Sequence, residues 1–336
     1  MKEYCVGVIG ALGAVGEQMR DILAESDLNI GKVKMFERPE LEGELAEFAG
    51  EEIPCEVATP ETLSECDVAT MSAGGAASEK LAPMAADVGC KVVDNSSQWR
   101  LDPEVPLVVP EVNPEDLDWN SGIVANPNCS TIQMVVALQP LHKAYDIERV
   151  VVSTYQAVSG SGVDAINELK EQTEAIVNGE EPEVKVYPKQ IAFNALPHID
   201  VFRDNNYTKE EMKMVHETHK IMDEGIEVSP TAVRIPVYRS HAESVNVQTA
   251  SPMDVDEVRE LLAAAPGVEV MDNPAEDEYP TCLTGEGRNE VFVGRIRQDP
   301  TIENGINMWV VSDNLRKGAA LNTVQIAETM AERDLI

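Results

Sequence analysis

The sequence predicts an α/β protein of two domains, one with a doubly wound parallel sheet and one of α+β type with a mixed sheet. Three observations lead to this prediction. The chain has 336 residues, a length that favours two domains. Short apolar strands alternate with helical segments up to about residue 126, which is typical of a parallel sheet. Beyond that point the strands are longer and the strict alternation ends.

The first part of the chain opens with a strand, a glycine turn and a helix. Tyr4–Ile9 is an apolar run of strand type, and a helical periodicity over residues 17–24 places apolar residues on one side. A second helix is predicted around residues 78–88. Further buried strands are predicted at Val33–Phe36, Asp67–Met71, Lys91–Asp94 and Ile123–Ala125. This succession predicts the parallel sheet.

The second part combines long helices with long strands. Helices are predicted over residues 130–143 and 165–177, and a capping box, Thr208 to Glu211, opens another. Strands are predicted over residues 150–154, 233–249 and 305–312. The last helix, residues 317–331, is expected to pack back on the first domain. We therefore predict a first domain of residues 1–126 with 313–336, and a second of residues 127–312.

The composition restricts the function. Sixty acidic residues against 26 basic ones give a formal charge of −34, which disfavours a nucleic-acid partner because phosphate binding needs a basic surface. No stretch approaches the roughly 20 apolar residues of a membrane helix, and the start lacks the layout of a signal peptide. The cysteines show no zinc-binding spacing. We expect a cytoplasmic protein without a metal that acts on a small molecule.

A glycine turn joins the first strand to the first helix. Gly10, Gly13 and Gly16 follow one another at intervals of three residues. Glycines let the backbone approach a pyrophosphate, and the N-terminus of the following helix favours negative charge. The turn therefore predicts a Rossmann-like dinucleotide site, and a plain tight turn is the alternative.

Two opposite charges follow the second strand. Glu37 lies 21 residues beyond Gly16, where an acid often binds the ribose 2′-hydroxyl of NAD. Arg38 comes next and is suited to the 2′-phosphate of NADP. A third interpretation is a pair of exposed turn charges, and the sequence does not decide between the three.

Cys129 occupies the most informative segment, Asn126-Pro127-Asn128-Cys129-Ser130-Thr131. Pro127 keeps the preceding residue extended, and an apolar helix follows. The cysteine therefore lies at a helix N-terminus, where the dipole and the free amides lower a thiol pKa. Such a thiolate is suited to acyl transfer, and a buried structural cysteine is the alternative.

Arg234 and His241 lie seven residues apart. On one straight strand an odd spacing puts them on opposite faces, but Pro236 argues against such a strand. A bend or break between them brings both to one site. The alternative is an exposed arginine and a surface histidine.

Glu210 and Lys213 are three residues apart on one helix face, where a local ion pair is the alternative to a binding role. Arg100 follows a buried strand and faces either a cleft or solvent. The small residues after Gln156, up to Gly162, permit close approach to a ligand, although an ordinary loop has the same composition.

Together and in chain order, these segments resemble the aspartate-semialdehyde dehydrogenase family in its bacterial-type branch. The resemblance covers essentially the whole chain. It also includes Ser72-Ala73-Gly74-Gly75, Asn95–Arg100, Phe193–Phe202 and Asp313–Ala320.

The resemblance implies an enzyme that reduces L-aspartyl 4-phosphate to L-aspartate 4-semialdehyde, and runs the reverse reaction, in lysine, threonine and methionine biosynthesis. It implies Cys129 as a nucleophile that forms a thioester, His241 as general acid/base and Gln156 as the group that orients the acyl carbon. The implied substrate-binding residues are Arg100, Asn128, Glu210, Lys213 and Arg234. The implied cofactor-binding residues are Gly10, Leu12, Gly13, Ala14, Val15, Glu37, Arg38, Ser72, Ala73, Gly74, Ser159, Gly160 and Asn314.

The resemblance also implies NADP as cofactor, inorganic phosphate as co-substrate and a homodimer or homotetramer. Two departures from the family pattern bear on the cofactor. Leu12 stands where the family usually has threonine, and the serines usually found beside Arg38 are replaced. We therefore expect weakened selectivity for NADP, with NAD use as the alternative.

Two other functions compete with this one. N-acetyl-gamma-glutamyl-phosphate reductase runs the same chemistry on a substrate whose amine is acylated. An acylated amine carries no positive charge, so that enzyme has less need of a carboxylate such as Glu210. A non-catalytic dinucleotide-binding relative is expected to lack the nucleophile or the base, whereas this chain has both Cys129 and His241.

Overall fold

The computed structural model describes residues 2–336, which divide into two compact units. The first unit comprises the chain up to Asn128 together with Ala319–Ile336, and the second comprises Cys129–Gly318. None of the helices formed by residues 2–336 has the length and apolar composition needed to cross a membrane. In the same residues, no group of three or more His, Cys, Asp or Glu side chains is arranged to hold a metal ion.

The first unit is built on a mainly parallel sheet. Its strands are β1 (Tyr4–Ile9), β2 (Ile30–Glu37), β3 (Leu45–Phe48), β4 (Glu51–Val57), β5 (Val68–Met71), β6 (Lys91–Asp94) and β7 (Ile123–Ala125). The helices between them are α1 (Ala14–Glu25), α2 (Pro60–Leu63) and α3 (Gly75–Asp87). Over the described residues the strand order is β3-β4-β2-β1-β5-β6-β7, and all neighbours are parallel except the β3–β4 hairpin. The doubly wound sheet predicted from the sequence is confirmed; the hairpin was not predicted.

The second unit is built on a mixed sheet. Its helices are α4 (Cys129–Tyr145), α5 (Val163–Val177), α6 (Lys209–Ile221), α7 (Val255–Ala263) and α8 (Cys282–Gly285). Its strands are β8 (Ile147–Gln156), β9 (Glu227–Arg234), β10 (His241–Thr249), β11 (Val268–Val270), β12 (Val291–Asp299) and β13 (Gly305–Ser312). Among residues 129–318 the order is β11-β12-β13-β10-β8-β9, with parallel pairs only at its two ends. The predicted mixed sheet is confirmed.

One face of this sheet carries the buried side chains. Alternation along β10 puts His241, Glu243, Val245 and Val247 on the same face, and all four are buried. Helix α4 packs against β10 and is itself buried over most of its length. A helix that is apolar on all sides belongs in a protein interior, which explains why α4 shows little amphipathic patterning.

The single strand predicted over residues 233–249 is wrong. The chain forms β9 up to Arg234 and β10 from His241, and the residues between them form a connection. Pro236 lies in that connection, and Ser240 has a left-handed backbone with φ of 70°. The strand break that the sequence allowed is therefore present. Arg234 and His241 belong to different strands, so their odd spacing does not put them on opposite faces of one strand.

The last helix completes the first unit. Residues 316–320 form a π-turn, and α9 follows at Leu321–Glu332. Met19 and Leu23 of α1 share a buried cluster with Val324 and Ala327 of α9. The prediction that the C-terminal helix packs on the first domain is confirmed, and the apolar face of α9 is covered by α1.

The glycine turn after β1 is closed by backbone atoms. Gly10 has φ of 83°, and a Cβ placed on it would lie 2.5 Å from the carbonyl oxygen of Ser72. A Cβ on Gly16 would lie 2.0 Å from the carbonyl oxygen of Gly10. The turn and the first turn of α1 therefore pack at a distance that only glycine permits.

We expect Gly16→Ala to lower the free energy of unfolding by about 1–3 kcal/mol, because the methyl group displaces backbone rather than a flexible side chain. Gly13→Ala is the matched control: its Cβ would meet no atom closer than 3.5 Å, and we expect a change within about 0.5 kcal/mol. Thermal unfolding of the two variants measures the difference. Equal destabilisation of both would contradict the close approach at Gly16.

Candidate active site

Cys129 is the first residue of α4, forms no disulfide and is partly exposed. The first-turn amides of a helix have no partner within the helix and face outward from its N-terminus. A Cβ on Gly318 would lie 2.8 Å from the Cβ of Cys129. The chain after β13 therefore passes directly against the cysteine and has no room there for a side chain.

His241 is the first residue of β10 and is fully buried. Its Nδ1 accepts a hydrogen bond from the backbone N–H of Ala157 at 3.1 Å. Because a backbone N–H can only donate, the neutral ring carries its proton on Nε2. That Nε2–H has no hydrogen-bond partner among residues 2–336 and is available to a ligand.

Burial, together with the nearby Arg234 guanidinium, lowers the pKa of His241 to about 3 against the opposing influence of Glu210. The ring is therefore neutral at physiological pH. In this state His241 offers a proton donor at Nε2 without carrying a positive charge.

Arg234 ends β9 and is buried. Its Nη1 donates to the carbonyl oxygen of Ala157 at 2.6 Å, and its guanidinium carbon lies 5.9 Å from the ring centroid of Tyr187. A Cβ on Gly160 would lie 3.0 Å from Arg234 Nη1 and 3.3 Å from His241 Nε2. The guanidinium and the imidazole therefore meet at Gly160, where the missing side chain leaves space.

A buried polar chain extends from the end of β8 to α6. Gln156 Nε2 donates to Glu210 Oε1 and to Thr154 Oγ1, each at 3.3 Å. Lys213 Nζ bonds Glu210 Oε2 at 2.8 Å and Asp200 Oδ2 at 3.3 Å. The local ion pair that the sequence offered as an alternative is present, and Gln156 links it to the residues around His241.

Ser159 and Asn314, predicted as cofactor contacts, bond each other in the second unit. The Ser159 hydroxyl lies 3.2 Å from Asn314 Oδ1 and 3.0 Å from its Nδ2. Asn314 Oδ1 also accepts the backbone N–H of Ser240 at 2.9 Å. Asn314 therefore holds the residue before His241, a positioning contact that sequence reasoning missed.

Sequence reasoning also missed the role of the Ala157 backbone. Its N–H bonds His241 and its carbonyl bonds Arg234, so one peptide segment orients both side chains. No residue type signals such a contact, because every residue has the same backbone groups.

Arg100 and Asn128 belong to the first unit and are buried. Arg100 Nε donates to the carbonyl of Asn126 at 2.8 Å, and its Nη2 donates to the carbonyl of Asn95 at 2.9 Å. The guanidinium is thus fixed by the two segments that follow β6 and β7. The other three predicted substrate residues, Glu210, Lys213 and Arg234, belong to the second unit.

The first unit holds a cavity of about 740 Å³ at the carboxyl ends of β1, β2 and β5. A volume of this size is typical of cofactor sites, and carboxyl ends of parallel strands are where doubly wound sheets bind dinucleotides. Predicted residues that line it are Gly10, Leu12, Gly13, Glu37, Arg38, Ser72 and Ala73. Three others, Ala14, Val15 and Gly74, lie beside it at the starts of α1 and α3. Lys80 also lines the cavity and was not predicted.

Glu37 points its carboxylate into the turn. Its Oε1 accepts the backbone N–H of Leu12 at 2.8 Å, and its Oε2 lies 3.3 Å from the backbone nitrogen of Arg38. Arg38 is exposed. The carboxylate is therefore held in the cavity wall, whereas the guanidinium is not fixed by these contacts.

Comparisons with known proteins agree with this arrangement. Residues 5–120 match the family described as semialdehyde dehydrogenase, NAD binding domain, and residues 138–317 match semialdehyde dehydrogenase, dimerisation domain. The chain is 53% identical to an aspartate-semialdehyde dehydrogenase of Aquifex aeolicus, with 99% of both chains covered. It is 50% identical to that of Shewanella violacea, with 98% of both covered. A crystal structure of aspartate semialdehyde dehydrogenase II from Vibrio cholerae, complexed with ASA, superimposes with a TM-score of 0.95 at 45% identity and covers 99% of both chains.

The buried histidine makes stability depend on pH. The pKa of His241 is lowered on folding, so the unfolded chain binds a proton that the folded chain does not. Stability is therefore lost as the pH falls from about 6.5 toward 3, at no more than about 1.4 kcal/mol per pH unit. We expect His241→Gln to lose less stability over this range in thermal unfolding. His216→Gln, at an exposed site, is the control, and identical pH dependence of His241→Gln and wild type would contradict the burial effect.

Proposed function

The chain belongs to the aspartate-semialdehyde dehydrogenase family, and from that premise we propose that it reduces L-aspartyl 4-phosphate to L-aspartate 4-semialdehyde through a thioester on Cys129. The reaction runs in both directions and serves the biosynthesis of lysine, threonine and methionine. One observation carries the proposal. Arg234 and a neutral His241 with a free Nε2–H meet at Gly160, in the same unit as the cysteine at the start of α4.

The first step is acyl transfer to sulfur. The helix dipole at the N-terminus of α4 stabilises a Cys129 thiolate, which attacks the acyl carbon of the substrate. A carbon–sulfur bond forms, the bond between the acyl carbon and the phosphate oxygen breaks, and phosphate leaves with the electron pair. The buried Arg100 and the Lys213 ammonium are the cations we assign to this phosphate, with Asn128 beside the cysteine in sequence.

The second step reduces the thioester. The nicotinamide, when bound, supplies the hydride. The oxyanion that then develops on the acyl carbon accepts a hydrogen bond from His241 Nε2–H, and its collapse expels the Cys129 thiolate and releases the aldehyde. In this direction a neutral His241 is sufficient, because the acyl carbon gains a hydride and loses a thiolate without a net proton transfer.

The remaining polar groups have roles in binding the amino acid. We assign the substrate α-carboxylate to Arg234, the ammonium to Glu210, and the orientation of the acyl group to Gln156. A buried carboxylate next to Gln156 is the feature that favours an aspartate derivative over an N-acetylated one, which has no ammonium to pair. We also infer a homodimer or homotetramer, supported by the match of residues 138–317 to the dimerisation domain of the family.

The cofactor is a nicotinamide dinucleotide, and the residues of the first unit fit it. Backbone amides at the starts of α1 and α3 suit the pyrophosphate. The family resemblance favours NADP, and Arg38 is the cation available for its 2′-phosphate. The carboxylate of Glu37 is held by the Leu12 amide. It repels the 2′-phosphate of NADP, and it is suited to accept a hydrogen bond from the ribose 2′-hydroxyl of NAD. We therefore propose that the enzyme uses NADP with weak selectivity and also accepts NAD.

The reaction is tested by phosphate-dependent reduction of NADP, and separately of NAD, with aspartate semialdehyde. We expect turnover only when phosphate is present, and a loss on the order of a thousandfold or more in Cys129→Ala, since the covalent route is removed. Cys282→Ala, at another partly exposed free cysteine, is the control and should keep wild-type turnover. Turnover without phosphate would refute the phosphorylating reaction, and an active Cys129→Ala would refute the thioester.

Cofactor selectivity is tested by the ratio of kcat/KM for NADP to that for NAD. We expect a ratio below about 100, and Glu37→Ser should raise it by about tenfold because one negative charge next to the 2′-phosphate is removed. Glu40→Ser removes the same charge from an exposed site three residues further on and should leave the ratio unchanged. A wild-type preference above a hundredfold for NADP would exclude weak selectivity.

A further inference from the structure

Glu243 is a buried carboxyl group that the proposed reaction does not use. It lies on β10 two residues after His241, on the same face, with 0% of its surface exposed. Neither carboxyl oxygen makes a hydrogen bond of good geometry with any of residues 2–336. A charged carboxylate without such partners is costly in a protein interior, so this group calls for an explanation.

The neighbour of Glu243 is Gln133. Burial raises the pKa of Glu243 well above its usual range, and the side-chain amide of Gln133, which lies against the carboxyl, lowers it by a smaller amount. Gln133 is itself buried on α4, and its side-chain nitrogen also lacks a hydrogen-bond partner of good geometry among residues 2–336. A protonated carboxyl and a primary amide each donate and accept, so the two groups are complementary.

The pair lies one level below the reactive residues. Gln133 follows Cys129 by four residues, which is about 6 Å along α4 and on the same helix face. Glu243 follows His241 by two residues, which is about 6.8 Å along β10 and on the same strand face. The step from Cys129 to Gln133 along α4 is therefore about as long as the step from His241 to Glu243 along β10. Each element carries one reactive residue and, one step further on, one member of the pair.

The cross-strand neighbours of Glu243 offer it no charge, whereas α4 offers it the amide of Gln133. Across the sheet it pairs with Thr154 of β8 and Val310 of β13, neither of which is charged. Thr154 Oγ1 accepts a hydrogen bond from Gln156, and it makes none with either oxygen of Glu243. The contact with Gln133 is thus the polar link from this level of β10 to the helix that begins at Cys129.

We propose that Glu243 is a positioning residue that acts through Gln133: the pair sets the height of α4 against β10 and thereby the placement of the Cys129 sulfur relative to His241 Nε2. The proposal rests on the roles proposed above for Cys129 and His241. Both members of the pair are in the second unit, as are the nucleophile and the base.

The test compares Glu243→Gln, which keeps a neutral donor and acceptor of the same shape, with Glu243→Leu, which removes both. One readout is the rate of Cys129 alkylation by iodoacetamide across pH, followed by peptide mass spectrometry to separate it from the other cysteines. The second readout is kcat and KM in the phosphate-dependent reaction. Val247→Ala, on the same buried face three levels from His241, is the control for loss of stability alone.

We expect Glu243→Gln to stay within about threefold of wild type in both readouts. Glu243→Leu should lower kcat by about thirtyfold or more with KM little changed, and should displace the pH profile of alkylation. Val247→Ala should melt at a lower temperature with kcat retained. Gln133→Leu should reproduce Glu243→Leu, and the double variant should be no worse than either single one.

Two results would overturn the proposal. Wild-type alkylation and kcat in a folded Glu243→Leu would show that the pair positions nothing. A Glu243→Gln as impaired as Glu243→Leu would show that a carboxylate charge is needed instead. If Glu243→Leu does not fold, Glu243→Gln and Gln133→Leu decide the same question. Alkylation does not require turnover, so a wild type without dehydrogenase activity would refute the proposed function and leave this test standing.

Discussion

The backbone of Ala157 bonds two side chains of the site, His241 and Arg234. Its N–H fixes the tautomer of His241, and its carbonyl holds Arg234. The imidazole stays neutral because it is buried and because the Arg234 guanidinium is close. The remaining geometry depends on this segment, since Gln156 precedes it at the end of β8 and the turn that carries Gly160 follows it. The donor and the acceptor at Ala157 are backbone atoms, so neither contact depends on a side-chain rotamer of residue 157.

Three local irregularities make the arrangement sterically feasible. A connection interrupts the strand between β9 and β10, so that the end of β9 and the start of β10 lie at the same edge of the sheet. Gly160 leaves space between guanidinium and imidazole, and Gly318 lets the chain pass against Cys129. Each irregularity departs from the best local propensity, which is common where a fold serves chemistry rather than stability alone.

The sequence was sufficient for the parts that follow from periodicity and turn chemistry. The parallel sheet, α4 and the capping box at Thr208 all have strong local signals. The break before His241 was uncertain because a proline excludes a central strand without saying what replaces it. The pairing of Ser159 with Asn314 joins segments 155 residues apart, and Glu243 with Gln133 joins segments 110 apart, so no local pattern indicates them. The Ala157 contacts use backbone atoms and have no sequence signal at all.

The position of helix α9 in the chain affects the order in which the two units fold during synthesis. Its residues Val324 and Ala327 belong to the core of the first unit, although they follow the whole of the second unit in the chain. The second unit, Cys129–Gly318, is continuous and is complete before them. Since domains fold as units during synthesis, the second unit finishes folding on the nascent chain while the first waits with part of its apolar core uncovered. The core of the first unit is therefore complete only once α9, which is made after the whole of the second unit, has joined it.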